Sequence, residues 1–193
     1  MNTKSQHSSD GYLQHQFLIA MPDMADPNFA KSVTLLCQHN EEGAIGITIN
    51  RLSGFTLGEV LRQLDINCED EDICSQMVLE GGPVSPEHGF VIHPPMEGFD
   101  SSIRINDEIM VTTSRDVLSA IAKRQEPHEY LVALGYAGWG DGQLESEMRQ
   151  NAWLAVQADK AILFESPIQS RWENAIGKLG VNIERLHGIG GHA

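Results

Sequence analysis

The stretch YLVALGY (130–136) restricts the fold more than any other, being apolar at almost every position. A run so short and so uniformly apolar suits a strand buried on both faces. Further β-rich runs surround it. KSVTLLCQH (31–39) and AIGITIN (44–50), joined by NEEG, predict a hairpin, and SIRINDEIMVTTS (102–114) predicts a second that turns at Asn106-Asp107. MVLEGGPVSPEHGFVIHPP (77–95) reads as two short strands around a Gly-Gly-Pro turn, and AILF (161–164) as a last strand.

Helices fall singly between these runs. TLGEVLRQL (56–64) sets Thr56 and Glu59 at capping-box spacing, with Leu57, Val60, Leu61 and Leu64 on one face. Residues 115–124 and 143–158 predict two more. SPIQSRWENAIGKLG (166–180) offers Ser166 as N-cap, Pro167 at the first helical position and Gln169 for a capping box, with Ile168, Trp172, Ile176 and Leu179 along one face. INCEDEDICSQ (66–76) reads as an acidic loop. Strand pairs broken by single helices, with no repeat and no regular βαβ unit, predict an α+β fold with a mixed β-sheet and about four helices.

The 193 residues, 41% hydrophobic, suffice for a single compact domain over 11–193, preceded by a polar tail at 1–10. A net charge of −14 opposes direct nucleic-acid binding, which depends on cations meeting phosphates. The first apolar run, FLIAM (17–21), is too short to span a membrane. Cys37, Cys68 and Cys74 form neither a C-x-x-C pair nor a disulfide framework, which points to a reducing cytoplasmic setting.

Residues 138–143, GWGDGQ, place Gln143 where a dinucleotide fingerprint needs its third glycine, and no Lys is near to make a phosphate loop. Asp141, Glu145 and Glu147 around the helix start would repel a phosphate. The glycines then read as a tight corner, or as the wall of a pocket offering Trp139, Gln143 and Glu147. Cys37 and His39, two apart on a strand, share a face in a regular ladder and raise the alternative of a Cys–His redox or transfer enzyme. The alternation in VTLLC argues for a buried, slow thiol instead. His88 and His93 lie five apart, on opposite strand faces, and make no metal pair. The acidic loop lacks the glycine and glutamate of a calcium loop, and no zinc, cofactor or hydrolase signature occurs.

FLIAMPDMADPNFAKSVTLLCQHNEEGAIGITINR, LEGGPVSPEHGFVIHP and LGYAGWGDGQLESEMRQNAWL together resemble, in order, the three signature blocks of the bacterial YqgE/AlgH family. The likeness runs from about residue 11 to 187. Matching positions are Pro22, Phe29, Cys37, His39, Gly43, Gly46 and Asn50; then Gly81, Gly82, Pro83, Val84 and His93; then Gly138, Trp139, Gly142, Gln143, Leu144, Glu145, Glu147 and Trp153. The resemblance implies a large mixed sheet and no defined reaction. The family name suggests regulation of alginate or exopolysaccharide production, and some members carry the label transcriptional regulator, which the charge of −14 contradicts for direct DNA binding.

The leading expectation is therefore a non-catalytic ligand-binding or protein-interacting regulator whose partner is an unidentified small molecule or protein. Buried polar groups must satisfy one another or face a shared cleft. On that ground His39, Asn50, Gly81, Gly82, Pro83, His93, Gly138, Trp139, Gln143 and Glu147 are expected to converge on one site.

Overall fold

The β-branched and apolar runs form the strands, and helices fill the polar intervals. In the computed structural model, which describes residues 12–181 and Leu186, β1 (Gln16–Ala20) takes up the first apolar run and is buried from Phe17 to Ala20. The polar tail expected at 1–10 lies outside the described residues. β2 (Val33–Asn40) and β3 (Gly43–Thr48) make the expected hairpin, with Thr34 opposite Thr48. β4 (Leu52–Thr56) runs into α1 (Leu57–Gln63) through the capping box of Thr56 and Glu59. The acidic stretch winds one short helix, α2 (Glu71–Cys74), because the Asp70 carboxylate accepts the amides of Asp72 and Ile73. β5 (Met77–Glu80) and β6 (Val84–His93) follow, then the hairpin of β7 (Ser102–Arg104) and β8 (Met110–Thr112), and α3 (Arg115–Ala122). β9 (Leu131–Trp139), α4 (Gln143–Arg149), β10 (Trp153–Gln157) and α5 (Arg171–Lys178) complete the chain.

Three boundaries differ from expectation. The helix expected over 143–158 stops at Arg149, where Asn151 takes a left-handed φ of 56°, and Trp153–Gln157 becomes a strand paired with β1. Residues 161–165 form a π-helical turn and not the expected strand; short apolar runs do not distinguish the two. Ser166 caps no helix, since a 3₁₀ turn at Ile168–Ser170 precedes α5.

The strands join one ten-stranded sheet in the order β10-β1-β2-β3-β9-β6-β8-β7, with β4 attached through β5. It is mixed, because β5 runs parallel to β9 while the other pairings are antiparallel. β9 is the hub. On one edge it pairs with β3 through Ala137–Trp139 and with β5 through Ala133 and Leu134; on the other it pairs with β6. The chain passes from one edge of β9 to the other within Gly81, Gly82 and Pro83. A Cβ on Gly81 would stand 2.2 Å from Gly135 O, and one on Gly82, at φ +155°, 2.1 Å from the Tyr136 carbonyl carbon. The paired glycines let the backbone cross a strand at contact distance.

Successive residues on the strands alternate between cores. Leu35, Ile92 and Ala133 join Trp172, Ala175 and Ile176 of α5 in a cluster on one face. Their neighbours face the other way and divide in two. Val91 and Val132 pack with Leu57 and Leu61 of α1 and Val117 and Ile121 of α3, while Leu36 packs with Trp139, Leu144 and Trp153. Within the α5 face lies a cation the sequence pattern did not single out. Arg171, 4% exposed, donates to the carbonyls of Ile49, Leu163 and Ser166, and burial pulls its guanidinium down to about 10.

Candidate functional site

The glycine corner that follows β9 leads into a dense polar clasp. Glu147 Oε2 accepts both indole N–H groups, from Trp139 at 2.9 Å and Trp153 at 2.8 Å, and its Oε1 accepts the Gln143 amide at 2.9 Å. Gln143 Oε1 in turn accepts the Gly140 amide. Phe29, from the segment between β1 and β2, stacks against both indoles, with centroids 6.1 and 5.5 Å away. One carboxylate thus fastens α4 to two strands.

His39 adds a second fastening. The Leu13 amide donates to its Nδ1 at 2.8 Å, so that nitrogen carries no proton and Nε2–H donates to Glu145 Oε1 at 2.8 Å. Glu145 is held below the ordinary carboxylate range, first by its own backbone amide and then, against desolvation, by His39. The structure therefore brings together His39, Gly138, Trp139, Gln143 and Glu147: Glu147 gathers Trp139 and Gln143, while His39 bonds to Leu13 and Glu145 beside them.

Asn50 and His93 do not join them. Ala44 pairs with Trp139 whereas Ile92, beside His93, pairs with Leu131, a separation of about 25 Å along β9 at the usual strand rise. Asn50 lies six residues beyond Ala44, about 20 Å away by the same rise. Each has its own structural task. Asn50 Oδ1 accepts the Val33 amide and its Nδ2 donates to Lys31 O, tying the entry of β2 to the exit of β3. His93 Nδ1–H donates to Pro94 O, so the neutral Nε2 accepts Thr112 O–H, which itself accepts Ser102 O–H. Gly81, Gly82 and Pro83 form the strand crossing. The expected convergence of all ten residues does not occur, because each polar group is satisfied where it stands.

The Cys37–His39 pair is also separated. A β-bulge between Leu36 and Gln38 inserts Cys37 as an extra residue. Cys37 packs toward the α5 face, while His39 faces α4. Burial pushes the Cys37 thiol up to about 12, which removes the thiolate a nucleophile needs. The two sulfurs of the acidic loop, unpaired on the sequence reading, are bonded to each other as Cys68–Cys74.

A large opening lies elsewhere. A cleft of about 490 Å³ is walled by Phe55, by Val60 of α1 and Leu64 just past it, by Leu118 of α3, and by Phe90 and Leu134 of the sheet. Its polar strip is His88, Thr112, Thr113, Ser114 and Arg115, with Gln63 and Glu87 at the wall. Phe55 and Leu64 remain 46% and 37% exposed, an unusual cost for large apolar side chains side by side. A second hollow of about 310 Å³, lined by Cys37, Ile45, Ile103 and Tyr136, meets the first at His88, Phe90 and Thr113. The sequence reading missed this region; its one signal was Leu64, which carries the apolar stripe of α1 one position past the helix. Among the described residues no group of three or more His, Cys, Asp or Glu is placed to hold a metal, and no helix is long and apolar enough to cross a membrane.

The chain has close relatives. Two proteins named UPF0301, from Xanthomonas oryzae pv. oryzae and Xanthomonas campestris pv. campestris, are each 49% identical over 181 residues, 94% of this chain and 96% of theirs. The solution structure of the AlgH protein from Pseudomonas aeruginosa superposes with a TM-score of 0.79 at 48% identity, covering 98% of this chain and all of that one. The crystal structure of DIP2367 from Corynebacterium diphtheriae shares the fold at a TM-score of 0.71 and 20% identity, over 90% of this chain and 91% of that one. The family model described as AlgH-like matches residues 17–184, and the chain belongs to that AlgH-like family.

Proposed function

We propose that this protein is a non-catalytic regulator that takes up an apolar small molecule in the cleft between α1, α3 and β6. The observation that carries the reading is the contrast in that cleft: about 490 Å³ with a largely apolar wall, and a polar strip of three hydroxyls, the His88 imidazole and the Arg115 guanidinium, with Gln63 and Glu87 at the edge. That is the usual make-up and size of a small-molecule site. The residues expected to carry chemistry support the same reading, since Cys37 and His39 face apart and Glu147 has three donors of its own. Regulation, with its link to alginate or another exopolysaccharide, is taken from the name of the family alone. At −14 it runs through the ligand or a protein partner and not through DNA; a gel shift at physiological salt is expected to show no complex. A cytosolic location belongs to the same reading and is tested by cell fractionation.

The test uses N-phenyl-1-naphthylamine, an uncharged apolar fluorophore. Saturable enhancement with the intact protein, lost in Leu64→Asp and Phe55→Asp variants of unchanged melting temperature, is the expected result. Enhancement that is absent, or equal in all three proteins, overturns the proposal.

A further inference from the structure

We propose that Cys68 and Cys74 form a reversible thiol–disulfide site for small anionic thiols, and that its state sets how firmly α1 and α3 stand as walls of the large cleft. The second half rests on the ligand-binding reading; the first does not. The bonded pair spans six residues with Cα atoms 6.3 Å apart. Cys68 and Cys74 are both half-buried and line a separate cleft of about 370 Å³, whose walls include Gly58, Arg62, Asp65 and Asn67. The cleft wall carries one basic side chain, Arg62, to which we assign the attraction of an incoming thiolate, against Asp65 on the same wall.

The reaction balances without a further oxidant or reductant. A thiolate RS⁻ attacks one cysteine sulfur, forming R–S–S–Cys and releasing the other cysteine as thiolate. A second RS⁻ attacks the sulfur of the bound R group, forming R–S–S–R and releasing the second cysteine as thiolate. The net change is two RSH oxidised and one protein disulfide reduced, and the oxidised small disulfide drives the reverse.

Coupling follows from what the loop touches. Cys74 lies so close on α1 that a Cβ at Gly58 would stand 2.9 Å from its own Cβ. Arg124, just past α3, pairs with Asp70 and Asp72. Ile73 is packed among Leu57, Leu61, Leu118 and Ile121, so α2 braces both helices from behind. Glu69, Asp70, Glu71 and Asp72 are four adjacent like charges, and their repulsion opposes closure of the loop once the bond is cut.

The experiment takes the full chain through glutathione buffers of graded redox ratio, quenches with an alkylating reagent and reads the intact mass, with hydrogen exchange measured in parallel. Cys68 and Cys74 are expected to become alkylated together while Cys37 stays unmodified. The amides of α1 and of the end of α3 are expected to exchange at least about tenfold faster, with those of α4 unchanged. Arg62→Gln is expected to slow reduction by glutathione severalfold, and reduction by uncharged 2-mercaptoethanol little. A bond that survives every ratio, an Arg62→Gln effect equal for both thiols, or reduction that leaves α1 unchanged overturns the proposal. The double variant Cys68→Ser, Cys74→Ser repeats the reduced pattern; if it misfolds, the wild-type reduction alone decides. None of these readouts uses a cleft ligand, so the naphthylamine test stands or falls separately.

Discussion

The clasp at Glu147 and the cleft beside Phe90 make opposite use of one sheet. At the clasp, polar side chains are abundant and every donor is spoken for: two indoles and an amide meet a single carboxylate. At the cleft, the polar groups keep to one strip and large apolar side chains stay in water. Density of suggestive residue types therefore marks internal attachment here, and openness marks the surface left for a partner. A polar residue in a long motif reveals little until its hydrogen bonds have been traced.

Four substitutions separate attachment from binding surface. The largest effect is expected from Glu147→Ala, which leaves the buried indole N–H groups of Trp139 and Trp153 without an acceptor. At about 1–3 kcal/mol per unsatisfied donor, a loss of about 3–5 kcal/mol is expected in denaturant unfolding. A loss under about 1 kcal/mol would show the clasp to be incidental and return Glu147 to the pool of ligand-binding groups. Next comes His39→Ala, which strands the Leu13 amide and frees Glu145; about 2–3 kcal/mol is expected from the same measurement.

A smaller effect concerns His93, whose imidazole is pulled below its ordinary value by desolvation, against its bond to Pro94 O. A depressed folded value means that both states are neutral above the unfolded value, and that the unfolded chain takes up the proton first below it. Stability is thus complete above about pH 6.5 and falls as pH drops toward the folded value. The decline between pH 7 and pH 5 is expected to be shallower in His93→Asn, read from urea midpoints. Smallest of all, Leu64→Asp at the cleft is expected to move stability by no more than about 0.5 kcal/mol, because the side chain is already partly in water. A large loss there would mean that the cleft is core and not a binding surface.

Much of the architecture was legible in the sequence because local chemistry and tertiary context agreed. The capping box at Thr56, the hairpin across Asn40–Gly43 and the apolar strand expected at 130–136 each follow from side-chain type and period, although β9 runs on to Trp139 through the first of the glycines assigned to the corner. What escaped depended on contacts remote in sequence. Residues 161–165 took a helical turn because Ile162 and Leu163 pack under α5 and the Leu163 carbonyl serves Arg171. Cys37 and His39 parted because of a single bulge, and one inserted residue inverts every side chain beyond it. Of the residues expected to converge, Trp139, Gln143 and Glu147 share one hydrogen-bonded cluster, and His39 meets the same helix through Glu145. Asn50 and His93 lie apart from them, since the spacing of motifs along a chain says nothing of where each strand is entered.

The hub position of β9 has a consequence for how the chain emerges from synthesis. β3, β5 and β6 are all made before their common partner at 131–139, and β1 must wait for Trp153–Gln157 to cover its outer edge. Until then an N-terminal stretch of some length presents unpaired strand edges with apolar faces. Pairings so far apart in sequence lose much loop-closure entropy before any hydrogen bond compensates, so assembly of the sheet is intrinsically slow. The chain becomes a native sheet only once nearly all of it exists, and its hazard during growth is edge-to-edge association with neighbouring nascent copies.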